Sequence, residues 1–112
     1  ISSHEPCSMC LSAITWCGFD NFYYFFPYED THENFNIPHD LKILKEVFKI
    51  ENGEYAKDNY YWKSHSLLEC IQKLPNSDKE KLSVKIGKIK ALYEILSKQY
   101  QSSKISNNIP LN

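Results

Sequence analysis

The segment Ser3-His4-Glu5-Pro6-Cys7-Ser8-Met9-Cys10 places two thiols three residues apart, at a point where an extended run turns into a helix. Side chains spaced i, i+3 share one helical face. The free N–H groups and the dipole of a helix start favour thiolates, the form that binds zinc. The pattern therefore reads as half of a metal site. Glu5 fits as an acid beside the first turn, complementing the dipole, and Pro6 fits at or just before the first helical position, where an N–H would lack a partner anyway.

Working outward, the helix is expected from about Pro6 to Cys17, closed by Gly18 in the left-handed conformation. Met9, Leu11, Ala13, Ile14, Trp16 and Cys17 make it apolar nearly all round, which predicts burial. Phe22-Tyr23-Tyr24-Phe25-Phe26, ended by Pro27, is a strand signal, and a strand apolar at consecutive positions is expected to be covered on both faces, as in parallel sheets. Tyr28 to Asn36 reads as a polar loop. Pro38 opens a helix through Phe48 or Ile50 with Leu41, Leu44, Val47 and Phe48 as its apolar face. Glu51-Asn52-Gly53 reads as a turn and Tyr60-Tyr61-Trp62 as a short strand. Ser66 and Glu69 have capping-box spacing ahead of a short helix that Pro75 ends. From about Asp78 to Gln101 a long helix carries Leu82, Ile86, Ile89, Tyr93, Leu96 and Tyr100 at 4-3-4-3-4 spacing, a narrow apolar seam flanked by lysines. Its expected use is packing on its own domain or a sister subunit, ahead of a lysine-rich nucleic-acid surface.

Composition narrows the classes. A chain of 112 residues is large enough for one core, and a net charge of −1 argues against a nucleic-acid-coating protein. All 13 basic residues are lysines, so the planar guanidinium forks that clamp phosphates and read guanine edges are missing. No apolar run is long enough to span a bilayer, and no signal-peptide pattern opens the chain. Four cysteines, two of them in Cys-x-x-Cys, fit metal or redox use in a reducing, cytoplasmic compartment better than a disulfide scaffold. Ile1, with so few residues ahead of the helix, leads us to expect more of the sheet upstream.

Glu5-Pro6-Cys7-Ser8-Met9-Cys10-Leu11-Ser12-Ala13-Ile14-Thr15-Trp16 resembles the second zinc motif of the cytidine-deaminase superfamily, in the branch of guanine deaminases and tRNA adenosine deaminases. The likeness covers Ser3 to Phe26, with Phe22–Phe26 where that family's next strand belongs. Met9 to Trp16 is closer to the guanine-deaminase form, with a tRNA adenosine deaminase as the alternative within the branch. The resemblance implies an α/β fold, a cytidine-deaminase-like αβα sandwich whose first strands and first active-site helix precede this segment. It would occupy residues 1–75, followed by a helical extension at 76–101 and a flexible tail at 102–112.

By the same resemblance Cys7 and Cys10 are two of three protein ligands to Zn2+. The third ligand and a non-ligand glutamate that moves protons come from a His-x-Glu upstream, and no catalytic residue lies in this chain. The backbone around Ser3 and Pro6 would border the leaving amine of a purine base or nucleoside. His39-Asp40 stands where guanine deaminases carry two acidic residues, and the departure at His39 bears on guanine as substrate. Asp30, following the aromatic strand, would reach the ligand end of the sheet. A homodimer is the expected assembly. Two other readings of the thiol pair stay open. One is a catalytically incomplete zinc-binding structural or interaction module, and the other a thiol redox protein. His4 and Glu5 are weaker candidates for ligand and base, and Cys70 reads as core.

Overall fold

The aromatic run forms the middle strand of a small parallel sheet. The computed structural model describes residues 1–108, and in it the chain is mixed α/β. Strand β1 (Ser2–His4) leads to helix α1 (Ser8–Trp16), strand β2 (Asn21–Phe26), helices α2 (Tyr28–Glu33) and α3 (His39–Phe48), strand β3 (Lys63–Ser66), and helices α4 (Leu67–Gln72) and α5 (Asn76–Ser103). The sheet order is β1-β2-β3 and both pairings are parallel, with Ser2 opposite Tyr24 and Phe22 opposite Ser64. Parallel strands need long crossovers, and α1 supplies the first while α2 and α3 lie in the second.

Alternation along β2 puts Phe22 and Tyr24 on one face of the sheet. There they meet Leu11 of α1, Leu44 of α3, Tyr28, Tyr55 and Trp62 in the core, with Ile14, Leu41 and Ile50 at its margin. The Trp62 indole donates to Thr15 Oγ1 at 2.8 Å and fastens α1 to the segment entering β3. On the other face Tyr23 stacks on His65 at 4.7 Å, and the ring is partly exposed. Asn21 is exposed as well, so β2 is covered fully only toward its carboxyl end.

Several sequence expectations need correction. Helix α1 starts at Ser8, two residues after Pro6, because Cys7 is the extended N-cap residue. Gly18 does take the left-handed conformation at φ 73°. The helix is not buried: Leu11 is its one buried residue, whereas Met9 is 75% and Trp16 89% exposed. Residues 28–33 are helical rather than a loop, because Tyr28 and Thr31, one turn apart, both pack inward. Val47 and Phe48 of α3 are exposed, leaving Leu44 as its buried anchor. The third strand lies at Lys63–Ser66 and not at Tyr60–Trp62. Only Trp62 of that triplet is buried, and Asn59 Oδ1 accepts from the N–H groups of Tyr61 and Trp62 in a turn. Ser66 Oγ accepts from the Glu69 N–H at 3.4 Å, the capping contact expected for α4. Cys70 on that helix is half-buried.

The chain divides into two compact units, residues 1–70 and 71 onward, a division that falls within α4. In the second unit α5 runs 28 residues, through Ser103, and a single 3-10 turn follows at Lys104–Ser106. Of the expected tail at 102–112, residues 109–112 lie outside the described residues. No residue of α5 is buried. Among the described residues no helix is long and apolar enough to cross a membrane.

Candidate metal centre

Strand β1 stops at His4, and the Glu5 N–H still donates to the Phe26 carbonyl at 2.7 Å, so the chain leaves the sheet in register with β2. Cys7 then holds φ −64° and ψ 170°, and its carbonyl takes the Leu11 N–H at 2.9 Å as the first helical bond. This places Cys10 in the first turn, with its Sγ 3.3 Å from Cys7 Sγ. Both thiols sit where β1 gives way to α1, at the carboxyl end of a parallel sheet, the end at which open α/β folds bind ligands.

Two sulfurs each about 2.3 Å from one tetrahedral zinc are about 3.8 Å apart. The observed pair is within about half an ångström of that, so the residues present fit two zinc ligands without backbone movement. The bond to Cys7, then burial, push the Cys10 thiol above its ordinary value, and the Asp40 charge adds to the shift. A second negative charge beside a thiolate is costly, and a divalent cation relieves that cost. Cys7 is half-buried and Cys10 exposed, so an entering ion has access.

No protein-family model matches the chain, and no curated protein or solved structure matches it either.

The remaining candidates for a third ligand are directed elsewhere. Among the described residues no three His, Cys, Asp or Glu side chains converge as a metal group. The His4 ring packs against Phe26 and Phe35, each 5.1 Å away, and Nδ1 lies 3.1 Å from Ser3 Oγ. Burial lowers the His4 pKa, opposed by the Asp30 charge. His65 bonds Asn21 Oδ1 at 3.0 Å. His32, with Glu29 and Glu33, lines a separate pocket of about 230 Å³ floored by Tyr28 and Leu41. Cys17 is exposed beyond the far end of α1.

The substrate candidates separate into two groups. Asp40, in the first turn of α3, is half-buried; burial raises its pKa, the His39 charge works against that, and its own field reaches Cys10 and Tyr28. It therefore belongs to the surroundings of the thiol pair. Asp30 lies on α2 beside His4 and accepts from Asn34 Nδ2 at 2.7 Å. Ser3 is exposed and engaged with His4. Pro6 is buried, and its carbonyl accepts the Tyr28 hydroxyl, so that oxygen is already committed inside the protein.

Glu5 overturns its sequence reading. Its carboxylate does not face the α1 dipole: it is 3% exposed and receives the Tyr28 N–H at 3.0 Å, the Tyr55 hydroxyl at 2.8 Å and the Lys57 ammonium at 3.1 Å. Burial works against the Lys57 charge, but hydrogen bonds to Tyr24 and Glu5 outweigh it and raise the Lys57 pKa. Burial likewise raises the Tyr28 and Tyr55 pKa values, with the Glu5 charge next. The network ties the residues just ahead of Cys7 to α2 and to the segment entering β3. Tyr28, Tyr55 and Lys57 are 23 to 52 positions from Glu5, and no local spacing announces them.

Proposed function

We propose that this chain carries the carboxyl-terminal part of a zinc-dependent hydrolytic deaminase of the cytidine-deaminase superfamily, guanine-deaminase-like and acting on a purine base or nucleoside. The observation that carries the reading is the Cys7–Cys10 pair, 3.3 Å apart in the first turn after a parallel strand, within Glu-Pro-Cys-Ser-Met-Cys.

Cys7 and Cys10 hold the metal in this reading. When bound, zinc supplies the Lewis acidity that lets water attack an amine-bearing ring carbon near neutral pH. The chain's own residues do the holding. Glu5 and Tyr28 anchor the backbone that leads into Cys7, the first through its buried carboxylate and the second through the Pro6 carbonyl. Asp40 stands at the N-terminus of α3, placed to orient a polar edge of a purine. The histidine ligand and proton-moving glutamate belong to a preceding segment. In support, the outer edge of β1 has no partner strand among the described residues, and the Met9 and Trp16 side chains of the adjoining helix are exposed.

Ammonia release from guanine, adenosine and cytidine by the full-length protein tests the proposal. Turnover on one of these that is lost in Cys7→Ser supports it, and turnover that survives Cys7→Ser overturns it. A second reading, an incomplete zinc module, predicts bound zinc without turnover. A redox role for the thiols predicts instead a reversible Cys7–Cys10 disulfide and no metal.

A further inference from the structure

The long helix α5 is built to pair with itself. It has no fully buried residue, and its apolar seam is half-buried to exposed: Leu82, Ile86 and Tyr93 are half-buried, Ile89 is 38%, Leu96 47% and Tyr100 36% exposed, and Leu92 beside the seam is 56% exposed. At 100° per residue the six seam residues Leu82, Ile86, Ile89, Tyr93, Leu96 and Tyr100 fall within about 80° of the circumference. Their alternating spacing assigns them to successive d and a positions of a heptad over about 28 Å of helix.

The seam reads the same in reverse. Leu82 and Tyr100, Ile86 and Leu96, and Ile89 and Tyr93 are each equidistant from residue 91. An antiparallel partner of the same sequence therefore meets it in six layers. Each tyrosine falls opposite an aliphatic side chain, Tyr100 on Leu82 and Tyr93 on Ile89. A parallel pair would put tyrosine on tyrosine in two layers and leucine on leucine in others, overfilling some and underfilling the rest.

The flanks favour the same arrangement. In parallel register Lys85 of each helix would lie beside Lys90 of the other, on both sides of the seam. In antiparallel register Lys85 meets Gln99, Ser83 meets Ser97, and Leu92 meets its own copy, extending the apolar contact. Lys90 is the one charged flank residue that faces its like. We propose that α5 forms an antiparallel homodimer interface, its two-fold axis at the level of residue 91. This inference is independent of the metal centre.

The test uses the full chain. Sedimentation is expected to show a concentration-dependent dimer. Leu96→Asp should weaken it by at least about tenfold, one core contact's worth in affinity. Ala91→Asp, the same charge change on the opposite face, should leave it intact. With a short amine-reactive cross-linker, a Lys90–Lys90 link and Lys85–Lys98 links between isotopically distinguished chains are expected, without Lys79–Lys79 or Lys98–Lys98 links. Because the one close charge pair is repulsive, added salt should tighten the dimer, whereas binding of a nucleic acid or an acidic partner by these lysines would weaken. A monomer at all concentrations, a dimer indifferent to Leu96→Asp, or self-links along the whole helix would each overturn the proposal.

Discussion

Glu5 shows how a residue next to the metal motif does structural work that its position in the chain conceals. Its carboxylate is almost fully buried, while its partner Lys57 is 48% exposed by side chain. Truncating the acid leaves the Tyr28 N–H and the Tyr55 hydroxyl without an acceptor, but the ammonium can turn to solvent. Glu5→Ala should therefore cost about 2–4 kcal/mol, short of the loss for a fully buried pair, and Glu5→Gln about 1–2 kcal/mol, since the amide still accepts one bond. Urea unfolding of the two variants checks this. A cost within about 0.5 kcal/mol for Glu5→Ala, the usual range for a surface change, would contradict the network. His4 gives a pH dependence. Burial holds its folded pKa below the unfolded value of 6.5, so the unfolded chain binds more protons in that interval. The contribution is fully present above pH 6.5 and is lost as the pH falls from there through the folded pKa. Melting temperature followed from pH 7 to 5 should drop less in His4→Gln than in the parent; equal slopes would mean that His4 protonates as freely as in the unfolded chain.

Two glycines of opposite role test the elements. Gly53 closes the 3-10 turn after α3 at φ +69°, and a Cβ there would run into the Tyr28 ring and press on Leu41. Gly53→Ala is expected to cost more than about 1 kcal/mol, from left-handed strain and the displaced ring together. Gly87, inside α5, has nothing within 4 Å of the place a methyl group would take, so Gly87→Ala should raise the stability of its helix by about 1 kcal/mol. Thermal unfolding reads both, and a shared sign would refute the assignment. The elements also show what was legible beforehand. Local signals located α1, β2, α3, the Glu51–Gly53 turn, the Ser66 cap and α5, because each depends on neighbours in sequence. The helical state of residues 28–33 was hidden, since Tyr28 packs through partners as distant as Glu5 and Gly53. The β3 shift has the same cause: Lys63–Ser66 is a polar tetrapeptide made a strand by pairing with β2. The exposure of α1 was equally out of reach, because apolar content reports the tendency to be covered and not the presence of a cover.

For the whole molecule, the candidate site was half legible. The i, i+3 spacing of Cys7 and Cys10 brings the sulfurs together as expected, and Asp40 joins their surroundings. Asp30 accepts from Asn34 at the end of its own helix, and the Pro6 carbonyl is taken by Tyr28. That last contact follows from β1, β2 and α2 meeting in space, which no motif encodes. The central claim, that the thiol pair is a metal half-site, is tested most directly by titrating the reduced chain with Co2+ and Zn2+ against a competing chelator. The account predicts a thiolate-to-cobalt absorption band that Zn2+ abolishes, present in Cys17→Ser and Cys70→Ser and absent in Cys7→Ser and Cys10→Ser. No such band in the parent chain, or a band that persists without Cys7, would contradict it.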